Sequence, residues 1–111
     1  MITYVELWKA KQTWIDLPAN ERSDYMNGLG TAIQQLLDSG VQILSWGSNE
    51  SSTLNRIDFD YFAVWSFPGV EAAHEFEQMV VGAGWYNYFD QVNAMGATSS
   101  PQAVIEAMIK L

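Results

Sequence analysis

The chain has 111 residues, a length that allows one domain. Of these residues 49% are apolar, 14% aromatic and only 16% charged, a composition that excludes a disordered chain. Thirteen acidic residues against five basic ones give a net charge of −8, which disfavours binding to phosphate backbones and anionic headgroups. No apolar run approaches the roughly 20 residues of a membrane helix. From length, charge and hydropathy together, we expect a single domain over residues 1–111 that binds neither nucleic acid nor membranes.

The first half of the chain predicts two strands with a helix between them. In residues 2–9, aliphatic positions alternate with positions that carry aromatic residues and one acid. This alternation indicates a strand with one face that is aromatic except for the single acid. Residues 16–18 start a helix with proline in its first turn, and apolar residues recur at helical spacing until Ser39-Gly40 ends it. Residues 41–46 indicate a second strand, and the polar residues 47–53 indicate a loop.

In residues 58–67, apolar side chains occur at both odd-numbered and even-numbered positions, so a strand here would be apolar on both faces. This is unusual for a strand in a sheet with one face in water. If this segment is a strand, both of its faces must be covered. Helices of the same chain would cover one face. A chain this short has little material for the other, so we expect a second subunit or a ligand to cover it.

The remaining segments predict a helix, a strand and a final helix. Pro68-Gly69 ends the preceding strand, and residues 72–83 carry one apolar stripe at helical spacing. Residues 85–89 form an aromatic turn region, and residues 91–97 can form a fourth strand. Ser100 caps a last helix with Pro101 at its first position.

The predicted order is therefore strand, helix, strand, strand, helix, strand, followed by a C-terminal helix. This is the βαββαβ pattern of ferredoxin-like folds, an α+β architecture with an antiparallel sheet. Both helices of the repeat would lie on one face of the sheet. We expect the other face to pack against the same face of a second copy, which gives a homodimer.

The chain resembles the dimeric α/β-barrel superfamily, in which two ferredoxin-like protomers join their sheets. The resemblance is based on the element order and on residues 61–69, read YFAVWSFPG, leading into EAAHEF at residues 71–76. Residues 84–93, GWYNYFDQVN, look like the signature of a subfamily of small uncharacterised bacterial proteins. The superfamily includes cofactor-free monooxygenases, haem-degrading monooxygenases, isomerases and proteins of unknown role, so the fold does not select a function.

Strand parity gives a candidate site on the sheet face that points away from the helices, into the barrel. The residues assigned to the helix side are Val5, Leu7, Val41, Ile43, Phe62 and Val64, and those assigned to the barrel side are Tyr4, Glu6, Trp8, Leu44, Trp46, Tyr61, Trp65, Asn93 and Met95. Such an aromatic wall suits a small apolar ligand, with Trp8, Trp46, Tyr61, Trp65 and Asn93 as binding residues. The alternative is a non-catalytic protein in which this face is only a dry dimer core.

Glu6 is the candidate catalytic residue. A carboxylate among aromatic rings loses hydration, which raises its pKa and makes it a possible base, while Asn93 would orient a carbonyl or another oxygen. The alternative is a hydrogen-bonded strand acid, paired for example with Arg56. The chemistry would be of the cofactor-free monooxygenase or isomerase kind.

Other reactive sites and cofactors are not expected. Haem-degrading members of the superfamily use a histidine on the second helix, but His74 lies roughly 160° from the centre of that helix's apolar stripe and should face solvent. Asp58 and Asp60 have no third ligand nearby in sequence, so we expect no metal site. The lack of cysteine and of a secretion signal at the N-terminus predicts a cytoplasmic protein.

Overall fold

A computed structural model describes residues 1–111 and shows an α+β domain with four strands and four helices. The strands are β1 (Ile2–Ala10), β2 (Gln42–Ser48), β3 (Tyr61–Phe67) and β4 (Phe89–Ala97), and the helices are α1 (Gln12–Ile15), α2 (Ala19–Asp38), α3 (Val70–Gly82) and α4 (Pro101–Ile109). A single 3₁₀ turn at Trp85–Asn87 joins α3 to β4. The predicted element order is confirmed, with α1 as an additional short helix.

The four strands form one antiparallel sheet in the order β2-β3-β1-β4. The two central strands, β1 and β3, pair with Tyr4 opposite Trp65 and Glu6 opposite Ala63. On its other side β1 pairs with β4, which sets Glu6 opposite Asn93. The side chains of residues directly opposite each other point to the same face of the sheet, so these pairs define its two faces.

Several strand boundaries differ from the prediction, among them the start of β4, which lies at Phe89 instead of residue 91. The strand expected to begin at residue 58 begins at Tyr61, because Asp58 and Asp60 lie in the preceding loop, where the Asp60 amide donates to the carbonyl of Trp8 at 3.0 Å. The second strand continues through Gly47, which the prediction placed in a loop. The ring of Phe62 covers Gly47 so closely that a Cβ there would lie 2.7 Å from it. A larger residue would displace that ring.

The prediction of which face lies under the helices is wrong. Phe76 of α3 packs against Tyr4 and Trp65, with ring centroids 5.6 Å and 5.1 Å apart, so the aromatic face lies under the helices. Val5, Leu7, Phe62 and Val64 are on the opposite face, and the aromatic face cannot be a dimer core. Because both parities of β3 are apolar, the pattern does not identify the covered face. Large rings fill the space between sheet and helices, and smaller aliphatic residues line much of the open face.

A β-bulge in β2 accounts for a second correction. The register shifts between Ile43 and Ser45, so that Ile43 is opposite Trp65 and Trp46 is opposite Ala63. Ile43 and Trp46 therefore share the aromatic face. The prediction had separated Ile43 from the aromatic residues and had grouped Leu44 with them, because strict alternation does not allow for the extra residue of a bulge. Its placement of Ile43 on the helix side of the sheet agrees with the structure.

Apolar residues are uncovered on the open face of the sheet and on helix α4. On the open face of the sheet, Val5 and Val64 are half-buried and Val92 is 42% exposed. Helix α4 begins with Ser100, whose hydroxyl accepts a hydrogen bond from the Ala103 amide, but it has no extensive contact with another element. Its apolar residues, Val104, Ile105, Met108 and Ile109, are all exposed.

None of the helices combines the length and the apolar character that crossing a membrane requires.

Candidate functional site

A cavity of about 90 Å³ lies between the aromatic face of the sheet and helices α2 and α3. Its lining consists of Glu6, Trp8, Trp46 and Trp65 from the sheet, Leu29, Ala32, Ile33 and Leu36 from α2, Phe76, Met79 and Val80 from α3, and Ala83 and Trp85 just after α3. Glu6 is the one polar residue among them and is only 6% exposed. The domain thus places a single carboxyl group against an apolar cavity.

Two neutral donors hold the carboxylate of Glu6. The indole nitrogen of Trp65 donates to Oε1 at 2.6 Å, and the amide nitrogen of Gln91 donates to Oε2 at 2.7 Å. Strand β3 supplies the first donor and β4 the second, on either side of β1. Each carboxylate oxygen therefore has one hydrogen bond and can accept another.

The orientation of the Gln91 amide is fixed by Trp85. The indole nitrogen of Trp85 donates to Oε1 of Gln91 at 2.8 Å, and an indole can only donate. Rotating the amide by 180° would bring two donors together, so Nε2 must point towards Glu6. The same Nε2 also donates to Oδ1 of Asn93 at 2.8 Å.

Burial raises the pKa of Glu6, and the hydrogen bonds from Trp65 and Gln91 partly oppose that rise. Both donors stabilise the charged form, since a protonated carboxyl group would find no acceptor in either. No ion pair of the protein includes Glu6, and Arg56, the partner considered from the sequence, donates instead to the carbonyls of Glu50 and Phe59. The carboxylate is thus hydrogen-bonded but not neutralised.

Tryptophan rings form several walls of the cavity. Trp8 meets Trp46 and Trp85 at 70°, with ring centroids 5.3 Å and 5.9 Å apart. Trp46 in turn meets Trp65 at 74° and 5.8 Å. Edge-to-face contacts of this kind are a favoured arrangement of aromatic rings, and all four of these tryptophans line the cavity.

The structure brings together four of the six residues proposed from the sequence. Glu6, Trp8, Trp46 and Trp65 line the cavity. Tyr61 packs against Trp8 at 5.9 Å but is 42% exposed and lies outside the lining. Asn93 is exposed as well, and it touches the site only through Gln91.

Gln91 and Trp85 were not among those six residues. Gln91 lies opposite Trp8 on β4 and shares the face of Asn93, so strand parity could have found it. The sequence placed Trp85 in an aromatic turn region between the second predicted helix and the fourth strand. In the structure it stacks on Phe89 at 4.1 Å, and it also lines the cavity and orients Gln91.

His74 and the loop acids lie away from the cavity. His74 is exposed, as predicted, and shares a hydrogen bond of 2.9 Å with Glu77. Tyr4 donates to the other oxygen of Glu77 at 2.9 Å, and burial raises the pKa of its hydroxyl. Asp58 and Asp60 form ion pairs with Lys9 and Arg56. No group of three or more side chains in the protein has the arrangement that a metal ion requires.

Comparison with solved structures shows the fold. The crystal structure of At3g17210 from Arabidopsis thaliana is 12% identical, with a TM-score of 0.61 over 90% of this chain and 97% of that one. An uncharacterised NIPSNAP domain protein from Burkholderia xenovorans is 8% identical, with a TM-score of 0.49 over 91% and 97%. No curated protein sequence matches. All 111 residues, 1–111, match a family described as being of unknown function, and the chain belongs to that family, DUF6616.

Proposed function

We propose that this protein is a cytoplasmic homodimer that binds a small, largely apolar molecule in the cavity beneath α2 and α3, with Glu6 as its hydrogen-bond acceptor. The observation that carries the proposal is the carboxylate of Glu6 at the wall of a cavity otherwise lined by apolar side chains. Pockets for small molecules combine an apolar lining with a few placed polar groups. Burying an acid in this way costs folding free energy, which a purely structural role does not explain.

The volume limits the size of the ligand. An apolar cavity of about 150 Å³ holds a benzene ring in a known engineered case. The cavity here is about 90 Å³, so we expect a ligand, or a part of one, with only a few heavy atoms. Helix α2 contains no fully buried residue, and a shift of this helix would admit something larger.

Glu6 is the only acid or base in the cavity, which limits the chemistry available. A single carboxylate can accept a hydrogen bond from the ligand or remove a proton from it. Proton abstraction by one base would suit an isomerase or a cofactor-free monooxygenase. The raised pKa of Glu6 favours this role, because a base whose pKa lies nearer to neutral pH abstracts protons better than an ordinary carboxylate.

The open face of the sheet supports the homodimer. Val5 is opposite Val64, and Leu7 is opposite Phe62 and Val92, so these apolar side chains form one continuous surface. A second copy would cover it by packing its own sheet there, with roughly 800 Å² buried on each protomer in a typical stable complex. Such an assembly would leave both cavities, on the opposite faces, undisturbed.

Nuclear magnetic resonance tests the binding site. Tert-butanol is a suitable probe because it is compact and neutral, and the affinity of so small a ligand is expected to be on the order of millimolar. We expect a saturable shift of the indole N–H signals of Trp65 and Trp85, with no shift for Trp14, which lies outside the cavity.

Two variants make this test specific. Ala32→Leu fills the cavity without replacing any group that donates or accepts a hydrogen bond there, and it should abolish the shifts. Ala107→Leu adds the same atoms to exposed helix α4 and should leave them intact. Equal shifts in both variants would show that the probe binds elsewhere, and the proposal would fail.

A further inference from the structure

The donors around Glu6 restrict the kind of ligand that can bind beside it. Trp65 can only donate, and Trp85 holds Gln91 so that its amide nitrogen faces the carboxylate. What Glu6 offers to the cavity is therefore an acceptor. A ligand that presents a carbonyl or carboxylate oxygen would face lone pairs of Glu6 and be repelled, whereas a ligand with an N–H or O–H group would complete the network.

The charge of Glu6 restricts the ligand further. Its hydrogen-bond partners are neutral, and the ion pairs of Lys9, Lys11 and Arg56 all involve aspartates outside the cavity. A negative charge in an apolar cavity is costly unless a positive charge compensates it. The net charge of −8 adds a long-range attraction for small cations.

The aromatic walls favour the same class of ligand. Four tryptophans, Trp8, Trp46, Trp65 and Trp85, line a space of about 90 Å³. Cations bound near tryptophan are attracted by the ring electrons, and aromatic cages for alkylated ammonium groups use this attraction. Methyl groups on the nitrogen would also make apolar contacts with the cavity lining, which a bare ammonium ion cannot make.

From these three features we infer that the cavity takes a small alkylammonium cation, whose N–H donates to Glu6 and whose methyl groups contact the tryptophan rings. This inference rests on the proposed function, because it names the ligand class of the same site. It differs from a general apolar site in requiring a positive charge and a donor on one compact group.

Three probes of nearly the same shape separate charge from shape. Trimethylammonium is a cation with one donor, tert-butanol is neutral with one donor, and trimethylamine N-oxide is neutral overall and presents an acceptor. We expect trimethylammonium to shift the indole signals of Trp65 and Trp85 with an affinity at least about tenfold higher than that of tert-butanol. The N-oxide should bind more weakly than either.

Variants show whether the preference comes from Glu6. Glu6→Gln should weaken trimethylammonium binding by about tenfold or more and tert-butanol binding by clearly less, because both probes lose a charged acceptor but only the cation loses an ion pair. If that variant does not fold, Trp46→Leu provides a second test. Trp46 is 48% exposed, so the protein should tolerate its loss. We expect Trp46→Leu to weaken the binding of trimethylammonium more than the binding of tert-butanol.

The outcomes separate this inference from the proposed function. If tert-butanol binds in the cavity as tightly as trimethylammonium, or the N-oxide binds best, the site is a small-molecule site and the inference of a cation is wrong. If none of the three probes shifts Trp65 or Trp85, both the inference and the proposed function fail. A preference for the cation that persists in Glu6→Gln would also overturn the inference.

Discussion

The indole nitrogen of Trp65 donates to the carboxylate of Glu6 at 2.6 Å, inside the domain and across the pairing of β1 with β3. This bond fixes a charged acceptor against the cavity, since Trp65 is itself almost fully buried. Gln91 completes the arrangement from the opposite strand.

Replacing Glu6 should change how stability depends on pH. The pKa of Glu6 is raised from its ordinary value of 4.5, so the folded state holds this proton at pH values where the unfolded state has released it. The contribution of Glu6 to the free energy of unfolding is therefore fully present below pH 4.5 and is lost as the pH rises through the raised pKa. The slope of this loss is at most about 1.4 kcal/mol per pH unit. Glu6→Gln should lack this decline in urea unfolding experiments.

Glu77 provides an internal comparison for that experiment. Its hydrogen bonds with His74 and Tyr4 lower its pKa, so its contribution is present above the ordinary value and is lost as pH falls through the lowered one. Glu77→Gln should therefore alter the profile only on the acid side. If Glu6→Gln and the unmodified protein lose stability equally above pH 5, the carboxyl group of Glu6 does not titrate as described.

Trp85→Phe should change the pKa of Glu6 through Gln91, although Trp85 makes no hydrogen bond with Glu6. The substitution keeps a ring but removes the N–H that orients Gln91, which should cost about 1 kcal/mol of unfolding free energy and raise the pKa of Glu6 further. The pKa can be followed by carbon NMR of the carboxyl group. Trp14→Phe is a matched control, since Trp14 packs against Phe89 without lining the cavity. Equal pKa values in both variants would contradict the positioning role of Trp85.

Phe76 should be the main anchor of α3 on the sheet. It is buried and packs against Tyr4, Trp65 and Phe67. Phe76→Ala should cost about 3 to 5 kcal/mol in chemical denaturation, because it removes a large buried ring and leaves a void. Val81→Ala, at an exposed position of the same helix, should change stability by less than about 1 kcal/mol. Similar costs for the two would mean that α3 is not anchored through Phe76.

The open face of the sheet should control assembly. Val64→Lys places a charge in the centre of that face and should yield a folded monomer in light scattering combined with size-exclusion chromatography. Val81→Lys puts the same charge on the outer helix layer and should leave the dimer intact. A monomer for the unmodified protein at micromolar concentration, or a dimer that tolerates Val64→Lys, would contradict assembly through this face.

Element order and most boundaries could be predicted from the sequence, because proline, glycine and serine at 18, 40, 69 and 100 mark helix ends whatever the tertiary packing. The orientation of the sheet could not. Tyr4 and Val5 are both apolar, and only packing against Phe76 decides which of them lies under the helices. The bulge after Ile43 is likewise invisible to an alternating pattern.

The candidate site was predicted in part for the same reason. Glu6, Trp8, Trp46 and Trp65 line the same cavity, and side chains on one face of a sheet can be grouped from the sequence, whichever way that face points. Tyr61 and Asn93 share it too, but they lie beyond the part that α2 and α3 cover. Parity identifies a face of a sheet and does not show where a cavity lies on it.

A crystal structure of the protein grown with trimethylammonium chloride would show whether the cavity beside Glu6 binds a small cation. We expect an ordered cation between α2, α3 and the sheet, with its nitrogen within hydrogen-bonding distance of Glu6 and its methyl groups against Trp8 and Trp46. A cavity closed by the protein's own side chains, or a cation found only outside it, would contradict the claim that this cavity is the binding site.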